Sequence, residues 1–169
     1  KKPVVFLGGG AVIAQAHDEV FEFVKKVDAP VADTLMAKGA FPGDDPLYTG
    51  MIGMHGTKTA NLSVTKCDLL ITIGARFSDR VTGNAKKFAT GAKILQIDID
   101  PAEINKNVIS MHSVIGDVKS VLKVLNKKLQ QQSHKEWVDT VMEMKEKFPL
   151  KYNKEVLTGP YVIEKLYEI

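Results

Sequence analysis

Val4-Val5-Phe6-Leu7-Gly8-Gly9-Gly10 is a short, wholly apolar run that ends in three glycines. Behind it, Val12/Ile13, Ala16, Val20, Phe23/Val24 and Val27 recur at helical spacing, which predicts a single amphipathic helix that stops at Asp28-Ala29-Pro30. A strand without polar alternation, a glycine turn and a helix are the opening of a parallel sheet buried on both faces. The pattern then repeats. Val31-Ala32-Asp33 reads as a second strand, and residues 39–56, rich in Gly, Pro and Asp, read as a long loop. Thr57 caps a predicted helix to Cys67, Leu69–Ile73 is a strand ending at Gly74, and Lys93–Ile99 is another. Asp100 and Pro101 start a short helix, Val114-Ile115 is a last strand, and Asp117 caps a helix with Val118, Val121, Leu122, Leu125 and Leu129 on one face. We therefore expect an α/β domain over residues 1–130: a doubly wound, mainly parallel sheet with helices on both faces, Rossmann-like.

Composition agrees with that architecture. The chain has 169 residues, of which 44% are apolar and 25% charged, enough for a real core and unlike a disordered chain. Cys67 is the only cysteine, which excludes an intrachain disulfide and a cysteine-rich zinc module and fits a cytosol-like compartment. The four histidines show no metal-ligand spacing, so no metal is expected in this chain. No apolar run is long enough to span a membrane, and Lys1-Lys2-Pro3 leaves no room for a signal peptide. The net charge of +3 sits entirely after residue 118. There Glu and Asp interleave with Lys123, Lys127 and Lys128, which describes a solvated helix face and not a nucleic-acid surface.

After Gln130-Gln131-Gln132-Ser133, residues Trp137, Val141, Met144 and Phe148 lie at i, i+4, i+7 and i+11, one apolar helix face ended by Pro149. Such a face is core packing more often than a cofactor contact. Leu157-Thr158-Gly159-Pro160 is a loop, and Tyr161–Ile169 begins a further helix, as if a longer protein continued.

In doubly wound sheets ligands bind beyond the carboxyl ends of the strands. The residues there are Gly8–Gly10, Asp33-Thr34, Gly74–Arg76, Asp98–Asp100 and Gly116-Asp117. Gly8 and Gly10 match the first two glycines of the dinucleotide fingerprint, but Ile13 stands in the third place, so the turn is either a phosphate site or a tight turn. Gly74-Ala75-Arg76-Phe77-Ser78-Asp79-Arg80 places two guanidinium groups at the rim, suited to pyrophosphate or planar rings, or else paired locally with Asp79. Asp98 and Asp100 can accept from ribose hydroxyls; Asp100 and Asp117 can equally be helix caps. His55, between Gly53-Met54 and Gly56, lies in backbone suited to a flat ligand. No catalytic grouping of side chains stands out, and Cys67 reads as inert packing.

Three motifs in order, Met51–Lys58, Gly74–Gly83 and Gln96–Lys106, resemble the central domain of acetohydroxyacid synthase (acetolactate synthase), a thiamine-diphosphate-dependent family. The resemblance covers essentially the whole chain. It implies a central FAD-binding domain at 1–130, a helical linker at 131–158 and the start of the C-terminal thiamine domain at 159–169. It further implies FAD contacts at Gly8, Gly9, Gly10, Thr34, Leu35, Gly53, Met54, His55, Gly74, Ala75, Arg76, Arg80, Val81, Asp98, Ile99, Asp117 and Val118. Ser78 stands where many members carry aspartate, and Asp79 and Arg80 resemble positions beside the family's substrate channel. The implied parent condenses two pyruvates, or pyruvate and 2-ketobutyrate, to acetohydroxy acids in branched-chain amino-acid synthesis. Thiamine diphosphate and Mg2+ would sit in N- and C-terminal domains outside this chain, so the 169 residues alone are expected to be inactive. A homo-oligomeric parent with a regulatory subunit is implied, in the cytoplasm or, by targeting, in an organelle. The competing readings are a nucleotide-free middle domain of another thiamine-dependent carboligase or decarboxylase, and a stand-alone nucleotide-binding module.

Overall fold

Six parallel strands form one sheet in the order β3-β2-β1-β4-β5-β6 in the computed structural model, which describes residues 1–169. The strands are β1 (Pro3–Leu7), β2 (Val31–Asp33), β3 (Tyr48–Met51), β4 (Leu69–Ile73), β5 (Lys93–Asp98) and β6 (His112–Ile115). The helices are α1 (Gly9–Ile13), α2 (His17–Val27), α3 (Lys58–Lys66), α4 (Asp79–Thr82), α5 (Val118–Lys128), α6 (Lys135–Lys147) and α7 (Gly159–Tyr167). Short 3-10 turns occupy Leu35–Ala37, Ala85–Lys87 and Pro101–Glu103. No helix is long and apolar enough to cross a membrane.

The side chains of each central strand alternate between two cores, which is why these strands carry no polar stripe. Val5, Leu7, Val31, Ile71, Ile73 and Ile97 pack beneath α2 and α5, with Phe23, Val24 and Leu122 among them. Val4, Phe6, Ala32, Leu70 and Ile94 face the other way, onto α3 and α6. The α6 face expected from the sequence is buried here through Trp137, Val141 and Met144, and the Trp137 indole N–H donates to the Pro3 carbonyl at 2.9 Å. The chain reaches α6 along the C-terminal end of α2: the Gln132 amide donates to the Lys26 carbonyl at 2.8 Å and Gln131 Nε2 to that of Lys25 at 2.7 Å. These bonds serve carbonyls that α2 itself leaves without partners.

Two local expectations are corrected. The helix expected across residues 12–27 is broken into α1 and α2, with Gln15 at φ 50° between them. No Gly or Pro marks the break. It is stabilised from outside, Lys119 Nζ donating to the Gln15 carbonyl at 2.9 Å, so apolar spacing alone cannot report it. The expected loop 39–56 contains β3. Its Gly50, at φ +102°, lies beside a register shift between Val31 and Ala32, and the strand is a short edge strand of loop-like composition.

Candidate functional site

The strand order places β1 next to β4, and the chain departs from that pair in opposite directions, to β2 and β3 on one side and β5 and β6 on the other. The crevice beyond their carboxyl ends is where such sheets bind ligands. Two glycine turns meet there. A Cβ on Gly8 would lie 2.1 Å from the Gly74 carbonyl oxygen, and a Cβ on Gly74, which has φ +59°, would lie 2.7 Å from Gly10 Cα. Main chain therefore touches main chain, and glycine is required for steric reasons. The Gly8 amide donates to Ile73 O at 2.9 Å and the Gly10 amide to Gly74 O at 3.0 Å. Those two amides join the turns, so Gly8 and Gly10 have the tight-turn role that the glycine run allows.

The walls of the crevice come from the neighbouring strand ends. Thr34 follows β2, its amide donates to Leu7 O at 2.9 Å, and its hydroxyl is buried without a hydrogen-bond partner. Leu35 and Met36 come next and are 70% and 73% exposed, unusual for side chains of this size beside a core. Beyond β3, Gly53 has φ +101°, and a Cβ there would lie 2.3 Å from the Arg80 carbonyl. The Met54 amide donates to that carbonyl at 3.0 Å, so Gly53-Met54 and Arg80-Val81 are held together. Met54 and His55 are exposed and Val81 is half-buried. Arg76 is exposed, its Nε 3.7 Å from Glu103 Oε1, and Arg80 is exposed as well. Asp79 accepts from the Arg80 amide at 2.9 Å, a local turn contact that leaves the guanidinium alone.

Three expected residues turn out to have structural duties. Ala75 and Val118 are buried, so only their main chain can meet a ligand. Asp117 caps α5, accepting from the Ser120 amide at 2.9 Å, and that bond holds its carboxyl below the usual carboxylate range. Asp100 similarly accepts from the Ala102 amide at 2.9 Å, the cap reading of that residue. Asp98 is nearly buried at the end of β5 and accepts from the Asp100 amide at 3.0 Å, while its neighbour Ile99 is 67% exposed. Burial pushes the Cys67 thiol up to about 12, with the charge of Asp68 adding to the effect, so this sulfur is packing and not a nucleophile.

Asn61 belongs to none of the sequence motifs, yet it organises the Gly53 turn. Its side chain accepts from the Gly53 amide at 3.0 Å and donates to Gly53 O at 3.1 Å and Thr57 O at 3.0 Å. The available signal was an asparagine inside a helix, where its competition with the backbone is unfavourable unless the side chain is used. A cleft of about 400 Å3 at the β2–β3 edge is lined by His17, Phe21, Asp33, Lys38, Phe41 and Tyr48, of which only Asp33 is among the rim residues expected from the sequence.

Residues 1–125 match the family model described as thiamine pyrophosphate enzyme, central domain. The chain is 49% identical over 148 residues to a probable acetolactate synthase large subunit of Methanocaldococcus jannaschii, covering 86% of this chain and 25% of that protein. It is 41% identical to the acetolactate synthase large subunit of Cyanidium caldarium, covering 100% of this chain and 30% of that protein. Against the chloroplastic acetolactate synthase 1 of Zea mays it is 43% identical, covering 100% and 27% respectively. The chain thus spans between a quarter and three-tenths of the length of these relatives. With the parallel sheet, its crevice and a family match over most of its length, the chain belongs to the thiamine pyrophosphate enzyme family and carries that family's central domain.

Proposed function

We propose that this chain is the central domain of an acetolactate synthase large subunit and that its β1–β4 crevice holds FAD. The names of the relatives support the first half. The observation that carries the second is the crevice itself: an unpartnered buried hydroxyl at Thr34, exposed apolar Leu35 and Met54, and exposed Arg76 and Arg80 at the strand ends. These features fit a long, flat, doubly phosphorylated ligand. Arg76 and Arg80 would face phosphate or ring edges, Thr34 would hydrogen-bond, and Leu35, Met54, His55 and Ile99 would cover apolar area. Gly9, Gly53, Ala75, Val81, Asp98 and Val118 would line the path with main chain or buried flank. When bound, FAD would supply a planar isoalloxazine as part of an active-site wall. Residues 131–158 would serve as linker and 159–169 as the start of a further domain. The proposed parent would bind thiamine diphosphate and Mg2+ through other domains, condense two 2-keto acids, assemble as an oligomer with a regulatory subunit, and work in the cytoplasm or an organelle.

One observation favours a second reading. Because the Gly8 and Gly10 amides are already used, phosphate recognition rests on the arginines, and a middle domain without nucleotide is the alternative. Titrating the chain with FAD while following flavin fluorescence separates the two. Arg76→Ala and Arg80→Ala should each weaken binding by about 10- to 150-fold, the worth of a hydrogen bond to a charged group of roughly 1.5–3 kcal/mol. Absence of saturable FAD binding would establish the nucleotide-free reading. The parent activity is tested by replacing the matching segment of the maize relative with this chain, which should preserve acetolactate formation.

A further inference from the structure

Asp33, Lys38 and Tyr48 form a closed triangle outside the crevice. The Asp33 carboxylate is buried at the end of β2 and accepts from Lys38 Nζ at 2.8 and 3.1 Å. It also accepts from the Tyr48 hydroxyl at 2.9 Å, and Lys38 Nζ donates in turn to that hydroxyl. The ammonium lies 5.1 Å from the centre of the Tyr48 ring. Burial works to lower the Lys38 pKa, but the bonds and charge of Asp33 and Tyr48 outweigh it, so the group is held above its ordinary value and stays charged.

Asp33 and Lys38 flank the four residues Thr34–Ala37. Besides the triangle, the loop is held by the Thr34 amide, which donates to Leu7 O at 2.9 Å, and by Ala37, which is buried in the core. Leu35 and Met36 are largely exposed, and the internal bonds are local: Ala37 N to Thr34 O at 2.9 Å and Lys38 N to Leu35 O at 3.4 Å. Yet the loop abuts the glycine turn so closely that a Cβ on Gly9 would lie 3.0 Å from Met36 Cβ. It also holds the unpartnered Thr34 hydroxyl. A buried carboxylate bonded by both a lysine and a tyrosine is a strong tether, and here it joins the two ends of one crevice wall.

We propose that the Asp33–Lys38–Tyr48 triangle is a latch that fixes the Thr34–Ala37 wall, with Lys38 as its positioning residue. The loop then presents its hydroxyl and apolar side chains preformed. Its consequence for ligand affinity rests on the FAD reading of the crevice; its effect on the loop does not.

The test compares Lys38→Met, Lys38→Arg and Tyr48→Phe in the whole 169-residue chain. Native-state amide exchange is read at Ala37 and Ala40, both buried, with the Ala40 amide bonded to Ala37 O at 2.9 Å, and at Ile71 and Ile73 as controls. Lys38→Met should speed exchange at the two alanines by about tenfold, as for a lost charge-assisted bond, and leave β4 unchanged. FAD affinity should fall by a similar factor. Lys38→Arg should restore both, since a guanidinium also bridges a carboxylate. Tyr48→Phe, which keeps the ion pair, should give a smaller rise and decides the matter if Lys38→Met does not fold. Unchanged exchange at Ala37 and Ala40 in the folded variants would overturn the latch. So would loss of FAD affinity in Lys38→Met without faster loop exchange, which would make Lys38 a direct ligand contact. If the parent chain binds no FAD, the crevice reading fails, and exchange alone still decides the latch.

Discussion

Gly8→Ala should be among the most damaging single methyl additions to this chain. Gly8 has φ −114° and ψ 176°, extended backbone open to any residue, so the cost is purely one of contact. The new Cβ would lie 2.1 Å from Gly74 O, 2.2 Å from Ala75 Cα and 2.5 Å from Ala75 Cβ. Carbon contacts are comfortable near 3.5–4.0 Å, so the two turns must separate by more than about 1 Å. Two of these atoms are main chain and the third is a Cβ fixed to it, so no rotamer change can relieve the clash. Separation also stretches the Gly8–Ile73 and Gly10–Gly74 hydrogen bonds. Overpacking of about 1–3 kcal/mol and two bonds near 1 kcal/mol each give about 3–5 kcal/mol. That is a large part of a domain's usual stability of about 5–15 kcal/mol. Gly91 is the control, with no atom within 4 Å of its would-be Cβ and no left-handed φ. Gly91→Ala should be neutral or stabilise by up to about 1 kcal/mol through the unfolded chain. Urea unfolding followed by the fluorescence of the single tryptophan measures both. At a slope of about 2 kcal/mol per molar, Gly8→Ala should lower the midpoint by roughly 2 M with the slope unchanged. A Gly8→Ala protein within about 0.5 kcal/mol of the parent would refute the backbone-contact argument and with it the geometry of the crevice.

Trp137 should be shielded from iodide in the folded chain, and Trp137→Ala should cost about 3–5 kcal/mol, because a buried indole and its bond to Pro3 are both lost; strong quenching in the native state would show α6 undocked. Asp117 has its carboxyl depressed by the Ser120 bond, so its contribution is present above its unfolded value near 4 and is lost as pH falls through the lower folded value. Asp117→Asn keeps the cap but should flatten the acid limb of a stability–pH curve below about pH 4; an identical limb would remove Asp117 from that role. The Cys67 thiol, raised to about 12 and buried, should not react with a disulfide reagent at pH 8 until urea unfolds the chain. Immediate native-state labelling would contradict its packing. Thr57→Ala removes a hydroxyl that accepts from the Ala60 amide at 3.0 Å and donates to Thr49 O at 2.7 Å, and should cost about 1–2 kcal/mol in the same urea assay.

Contiguous residues alone determined much of this protein. Apolar runs without polar alternation are buried strands wherever they occur, and Thr57, Asp100 and Asp117 cap the next turn through side chains two or three residues from their partners. Those signals placed five of the six strands, the doubly wound class and the rim where Gly8, Thr34, Arg76 and Asp98 emerge. They say nothing about which strands pair. That β1 lies beside β4, so that Gly8 meets Gly74, depends on the cores beneath α2 and α3 both being filled. The break at Gln15 depends on Lys119, the β3 strand on a partner in β2, and the turn at Gly53 on Asn61 and Arg80. In each case the deciding bond joins residues from different elements, whose meeting is set by packing and not by any local preference. Asp33, Lys38 and Tyr48 show the same limit: three ordinary polar residues in a stretch that read largely as loop become a buried charge network only because β3 brings Tyr48 back beside β2.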